Sequence, residues 1–125
     1  MKKLHVFFLS LILIFGFATR LYKFNNPIAD WHSWRQADTS SVSRMFVEQG
    51  FNLFVPTYQD ISNIASGFEN PHGYRFVEFP IYNSIVYFGY LFNNGVDERI
   101  ARLVNILFTL GSVIFVYLIS RECFL

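Results

Sequence analysis

Charge is what this sequence has least of. Asp, Glu, Lys and Arg make up 15% of its 125 residues, where an ordinary soluble domain carries roughly 25%. A larger core does not explain the shortage, because a chain this short buries only a modest one. Hydrophobic residues reach 53% and Phe alone counts 16, so the missing charges point to lipid contact. The charges nearly cancel, at a net +1, and no basic run interleaves with the aromatics; nucleic acid is excluded as a partner on that ground. Cys123 is alone, which rules out an intramolecular disulfide and any multi-cysteine zinc pattern. His32 and His72 stand far apart in sequence, so no metal or other cofactor is supported, although nothing forbids a divalent ion. The phosphate-binding loop, the dinucleotide fingerprint and the nucleophile elbow are all missing. So are internal repeats, low-complexity tracts and Asn-x-Ser/Thr acceptors.

What is present is a set of three apolar runs. Between Lys3 and Arg20, sixteen residues carry no Asp, Glu, Lys or Arg, and eleven of them are Leu, Ile, Val or Phe. Each such residue favours insertion at mid-membrane by about 0.3–0.6 kcal/mol. The run is slightly short of the roughly 20 residues a bilayer needs, and Leu21 and Tyr22 are expected to extend it. A secretory signal peptide is the competing reading, but bulky Phe17 beside Ala18 makes a poor cleavage site. Leu103 to Ser120, bounded by Arg102 and Arg121, is apolar on every face. Phe79 to Val96 is uncharged but holds Pro80, Asn83, Ser84, Asn93 and Asn94. It reads as a second spanning helix or as a buried amphipathic one. The expected spans are 4–22, 79–95 and 103–120. Lys and Arg counts on the two sides tie, so charge leaves the orientation open.

The loop from Lys23 to Glu78 is the one stretch long enough to hold chemistry. Asn25-Asn26-Pro27 signals a turn. Val42, Met45, Phe46 and Gln49 then share a stripe that predicts an amphipathic helix from Asp38 to Gln49, with Gly50 as its stop. Phe51 to Tyr58 alternates loosely, and Asn63 to Arg75 reads as irregular. Trp31 and Trp34 suit a membrane interface.

Two carboxylates and two arginines are candidates for chemistry. Asp38 at a helix start is either a cap for free N–H groups or a general base able to take a proton from an attacking hydroxyl or amine. Glu78, in Phe76-Val77-Glu78-Phe79-Pro80-Ile81-Tyr82, sits among apolar neighbours and must be paired, hydrated or functional. Pro80 suits a first helical turn. Arg35 and Arg75 offer bidentate donors for a phosphate.

Three stretches in order carry a family resemblance. They are Ala18-Thr19-Arg20-Leu21 with Ala37-Asp38-Thr39-Ser40-Ser41-Val42-Ser43-Arg44 in the following loop, then Glu78-Phe79-Pro80-Ile81-Tyr82, then Asp97-Glu98-Arg99-Ile100-Ala101-Arg102-Leu103. The arrangement resembles the N-terminal part of polytopic lipid-phosphate-sugar-dependent glycosyltransferases of GT-C type, the group that includes protein O-mannosyltransferases and aminoarabinose transferases. Two departures stand out: Thr39 replaces an acidic residue common after the Asp, and Phe79 replaces the first Pro of a Pro-Pro-Leu-Tyr run. Asp30 is a rival for the Asp, though no helical pattern follows it directly.

The resemblance implies an all-α membrane protein with three transmembrane helices in this segment and more beyond it, so the chain reads as an N-terminal piece inactive alone. It implies a bacterial inner or plasma membrane, a cytoplasmic N-terminus and an extracytoplasmic first loop. It also implies a polyprenyl-phosphate sugar donor as partner, with Asp38 as base. Glu78 would then support Asp38, with Arg75 and Arg35 as substrate contacts. The alternative is a non-catalytic three-helix membrane protein, such as an assembly factor or transporter subunit.

Overall fold

The computed structural model describes residues 2–28, 33–63 and 67–124. Among the described residues there are four α-helices and no strand: α1 (Lys2–Arg20), α2 (Ser33–Gln49), α3 (Ile81–Phe92) and α4 (Glu98–Phe124). They fall into two compact units, Met1–Asn26 with Arg102–Leu125, and Pro27–Ala101.

The first unit holds α1 and most of α4. Its surface is apolar: Phe15 is 72% exposed and Phe115 68%. Polar side chains in such helices need internal partners, because a hydrocarbon surround supplies none. Ser10, Thr19, Thr109 and Ser112 each donate a hydroxyl to the carbonyl four residues earlier, at 2.8–3.0 Å. Such back-bonding satisfies these four hydroxyls within their own helices. Leu110 packs where a side chain on Gly16 would begin. After Arg20 the chain turns, with Lys23 in the left-handed region. Arg102 donates to the carbonyls of Lys23 and Phe24, at 2.8 and 2.6 Å, so an arginine satisfies the end of that turn.

By length, α4 is the helix that qualifies as a span: Glu98–Cys123 is long and apolar enough to cross a membrane. Its 27 residues extend about 40 Å at 1.5 Å per residue. The apolar part of α1, Leu4–Arg20, is shorter, and Leu21 and Tyr22 lie in the turn rather than prolonging it. In the third apolar run the helix covers only twelve residues, about 18 Å.

The second unit is built on α2 against α3. Val42, Met45 and Phe46 of the expected stripe are buried, and α3 returns Ser84, Val86 and Tyr90. Phe46 (2% exposed) joins Val42 and Tyr58 in a small core, with Tyr87 packed on it. Burying such a ring contributes on the order of 1.5–3 kcal/mol. Phe51 stacks on Tyr87 with centroids 5.1 Å apart and meets Phe46 edge-on. A polar tie crosses the same interface: Asn83 donates to the Thr39 carbonyl at 2.6 Å and to the Ser43 hydroxyl at 3.3 Å. Gly50, at φ +96°, ends α2 as expected, since a left-handed residue there costs glycine nothing. Pro80 stands just before α3, and its carbonyl takes both the Ser84 N–H and hydroxyl. Asp97 accepts from the Arg99 N–H at 2.9 Å and so caps α4.

One boundary differs from expectation. α2 begins at Ser33, five positions before Asp38. Its first turn contributes nothing to the core, and Trp34 there is 65% exposed. A helical turn without a buried face carries no apolar period to read. Asp30, Trp31 and His32 lie outside the described residues.

Candidate functional site

The early start of α2 moves Asp38 into the helix interior. As its sixth residue it is past the positions that cap free N–H groups, so the capping role falls away. Its carboxylate instead meets Arg75 at 3.0 Å, with both side chains about a quarter exposed. One turn earlier on α2, Arg35 meets Glu78 at 2.9 Å, both two-thirds exposed. All four candidate residues are thereby brought together. α2 supplies a cation and an anion three residues apart, and the segment before α3 supplies the complementary two, also three apart. The pairing runs in opposite chain directions, Arg35 to Glu78 and Asp38 to Arg75. Thr39, next to Asp38, turns its hydroxyl back to the Arg35 carbonyl at 2.9 Å.

Arg75 owes its position to a folded loop. An isolated antiparallel bridge joins Thr57 to Tyr74. Tyr58 donates its N–H to the Gly73 carbonyl at 2.8 Å, and Arg75 donates its own to the Pro56 carbonyl at 2.9 Å. Asn70-Pro71-His72-Gly73 makes the turn, with the Gly73 N–H on the Asn70 carbonyl at 3.0 Å. The residue types suit it: Asn to open, Pro second, Gly last. The buried Asn70 amide bonds the Tyr74 backbone on both its carbonyl and N–H sides. Gly73 sits at φ +61°, and a Cβ there would collide with the Tyr58 carbonyl oxygen. Gln59 is tied to α2 through the Ser41 hydroxyl at 2.7 Å.

From this frame the Arg75 guanidinium lies over the Tyr58 ring, 5.0 Å from its centroid, a geometry that attracts a cation to the ring face. The charge of Arg75 also reaches Asp60. That carboxyl is held below its usual range, first by the Ser62 hydroxyl, then by the Ser62 N–H and by Arg75.

Beside Tyr58 opens a hollow of about 560 Å³, lined among others by Met45, Gln49, Gln59, His72 and Tyr74. That size is within the usual range for small-molecule sites, about 300–1,000 Å³. His72 packs against Tyr74, and Tyr74 against Phe76, forming a row of rings along the segment that leads to Glu78.

Among the described residues, no three of His, Cys, Asp or Glu gather as metal ligands would. Tyr58, Asn70 and Gly73 belong to the site's frame without being marked for it by the sequence, and Asn83, marked there only as a polar residue in an apolar run, belongs to it too. The Asn-Pro-x-Gly turn was the available signal for two of them. Tyr58 and Asn83 act across sequence gaps that no local pattern reports. No protein-family model, curated protein or solved structure matches the chain.

Gly73 provides a test of the frame. Gly73→Ala forces a side chain into a left-handed backbone and against Tyr58, and should destabilise by more than about 1 kcal/mol. Gly95, with open space around it, should accept Ala with little change. Thermal unfolding of both variants in detergent, followed by far-UV circular dichroism, checks the difference; equal melting temperatures would contradict the bridge geometry.

Proposed function

We propose that this chain is the N-terminal part of a membrane glycosyltransferase that moves a sugar from a polyprenyl-phosphate donor to an acceptor outside the cytoplasm. The observation that carries the reading is the convergence of Arg35, Asp38, Arg75 and Glu78 from two distant stretches onto one surface. A group transfer from a lipid phosphate calls for a base and for cations near the phosphate. Asp38 serves as the base that takes the acceptor's proton. Arg75 and Arg35 serve as the phosphate contacts, since guanidinium groups match phosphate oxygens two at a time. Glu78 holds Arg35 and keeps the pair of arginines in register. The hollow lined by Tyr58, whose ring also carries the Arg75 guanidinium, offers room for a sugar-sized group.

α4 is long and apolar enough to span. We extend this to α1 and to the run containing α3, which would need flanking residues or a locally thin bilayer to complete their crossings. With the N-terminus in the cytoplasm, the loop holding the four charged residues faces the other side, where a bacterial inner or plasma membrane presents the sugar-bearing lipid. Thr109, Gly111 and Ser112 form a patch of small residues on α4, suited to receive a helix from the rest of such a protein.

The direct test is sugar transfer by the polytopic protein that contains this segment. Asp38→Asn preserves size and leaves the helix intact, yet removes the base. Transfer should fall about 10²–10⁴-fold, measured with a polyprenyl-phosphate sugar in liposomes. An unchanged rate would leave a non-catalytic membrane protein, an assembly factor or transporter subunit, as the better reading. The sidedness has its own test. A cysteine at Asn63, in a Cys123→Ser background, should react with an impermeant maleimide in intact cells. Labelling confined to lysed cells would reverse the orientation.

A further inference from the structure

We infer that the two carboxylates, Asp38 and Glu78, occupy the arginine positions a phosphate group takes when it binds, so that ligand binding itself releases Asp38. The inference rests on the phosphate reading above and adds a mechanism of control to it. Both arginines are already satisfied, Arg75 by Asp38 at 3.0 Å and Arg35 by Glu78 at 2.9 Å. A phosphate therefore cannot take these guanidinium positions without displacing a carboxylate, and a base held against a guanidinium is poorly placed to accept a proton.

The exchange is physically favourable in direction. Partly exposed pairs hold less firmly than buried ones, and phosphate oxygens match a guanidinium fork two at a time. The sugar-bearing donor, a phosphodiester, carries a single negative charge like the carboxylate it replaces, while the lipid monophosphate left after transfer, at roughly −1.5 to −2 near neutral pH, competes more strongly. The cation need not move. The guanidinium rests on the Tyr58 ring, and its backbone is pinned to Pro56, so the site stays in place while the anions trade. The mobile partner is the shorter Asp38 side chain, which is about a quarter exposed. Arg35 and Asp38 sit one helical turn apart, so a single phosphate bridging the two arginines disturbs both pairs together. The base is then free when a lipid phosphate is bound and locked when none is.

The exchange makes a prediction of unusual sign: removing the Asp38 carboxylate should tighten phosphate binding in the same variant whose transfer falls. Isothermal titration of the purified chain in an uncharged maltoside detergent, with geranyl phosphate, inorganic phosphate and geraniol as probes, reads it out. Asp38→Asn and Glu78→Gln should each bind geranyl phosphate roughly two- to five-fold more tightly than the wild type, the change that losing one weak competing pair converts to. Arg75→Gln should bind it more weakly, and geraniol should show none of these differences. Glu69→Gln makes the same change in net charge at an exposed carboxylate that pairs with neither arginine and does not line the hollow, and should leave the affinity as it is. Equal tightening by Glu69→Gln would reduce the effect to overall charge and overturn the exchange. Affinities in Asp38→Asn and Glu78→Gln equal to wild type, with Arg75→Gln still weakened, would overturn the exchange while keeping Arg75 as a phosphate ligand. Phosphate binding by no variant would overturn both. Comparable tightening with inorganic phosphate would uphold the exchange and assign the site to free phosphate instead of the lipid.

Discussion

The short bridge between Thr57 and Tyr74 decides where Arg75 can reach, and with it the whole charged surface of the second unit. Two backbone hydrogen bonds and one turn closed by Gly73 hold the segment before α3 alongside the chain leaving α2. Isolated, such a bridge would be marginal in water. It persists here because Tyr58 is buried with Val42 and Phe46, and because Asn70 and Ser41 supply the hydrogen bonds that loose backbone would otherwise lack. Apolar burial and polar satisfaction converge on the same few residues. Once the segment is fixed, the three-residue spacing of Arg75 and Glu78 meets the three-residue spacing of Arg35 and Asp38.

The two units solve opposite problems. α1 and α4 present large apolar side chains outward and turn the hydroxyls of Ser10, Thr19, Thr109 and Ser112 back onto the helix, as suits a surround without water. The second unit keeps a core of ordinary kind, with rings packed edge-on or stacked, and puts its charges where solvent weakens them. That weakness is useful to a site whose cations must change partners. A deeply buried pair would resist exchange because breaking it leaves an uncompensated charge; pairs a quarter to two-thirds exposed do not carry that penalty in full.

Much of this was legible in the residues. The stripe of Val42, Met45 and Phe46, the stop at Gly50, the irregular stretch around Gly73 and the four candidate charged side chains all follow from period and chemistry. The start of α2 did not, because Ser33 to Ala37 forms helix without burying anything, and an unburied turn leaves no apolar pattern. For the same reason Asp38 looked like a cap. The third apolar run was legible as apolar, but its helix spans Ile81–Phe92 alone, since Pro80 bars an earlier start and Asn93 and Asn94 close it. That the four charged residues pair off could not be read locally at all. Their partners lie about forty positions apart, and only the Tyr58–Gly73 pairing brings them into reach.

The most direct measurement is of the two ion pairs themselves. Magic-angle-spinning NMR on the chain in phosphate-free detergent or in zwitterionic bilayers can correlate arginine guanidinium nitrogens with side-chain carboxylate carbons. One cross-peak should link Arg75 to Asp38 and a second Arg35 to Glu78, with the first lost in Arg75→Gln and the second kept. A spectrum in which Arg75 shows no carboxylate neighbour, or in which Arg75→Gln leaves both peaks in place, would contradict this pairing.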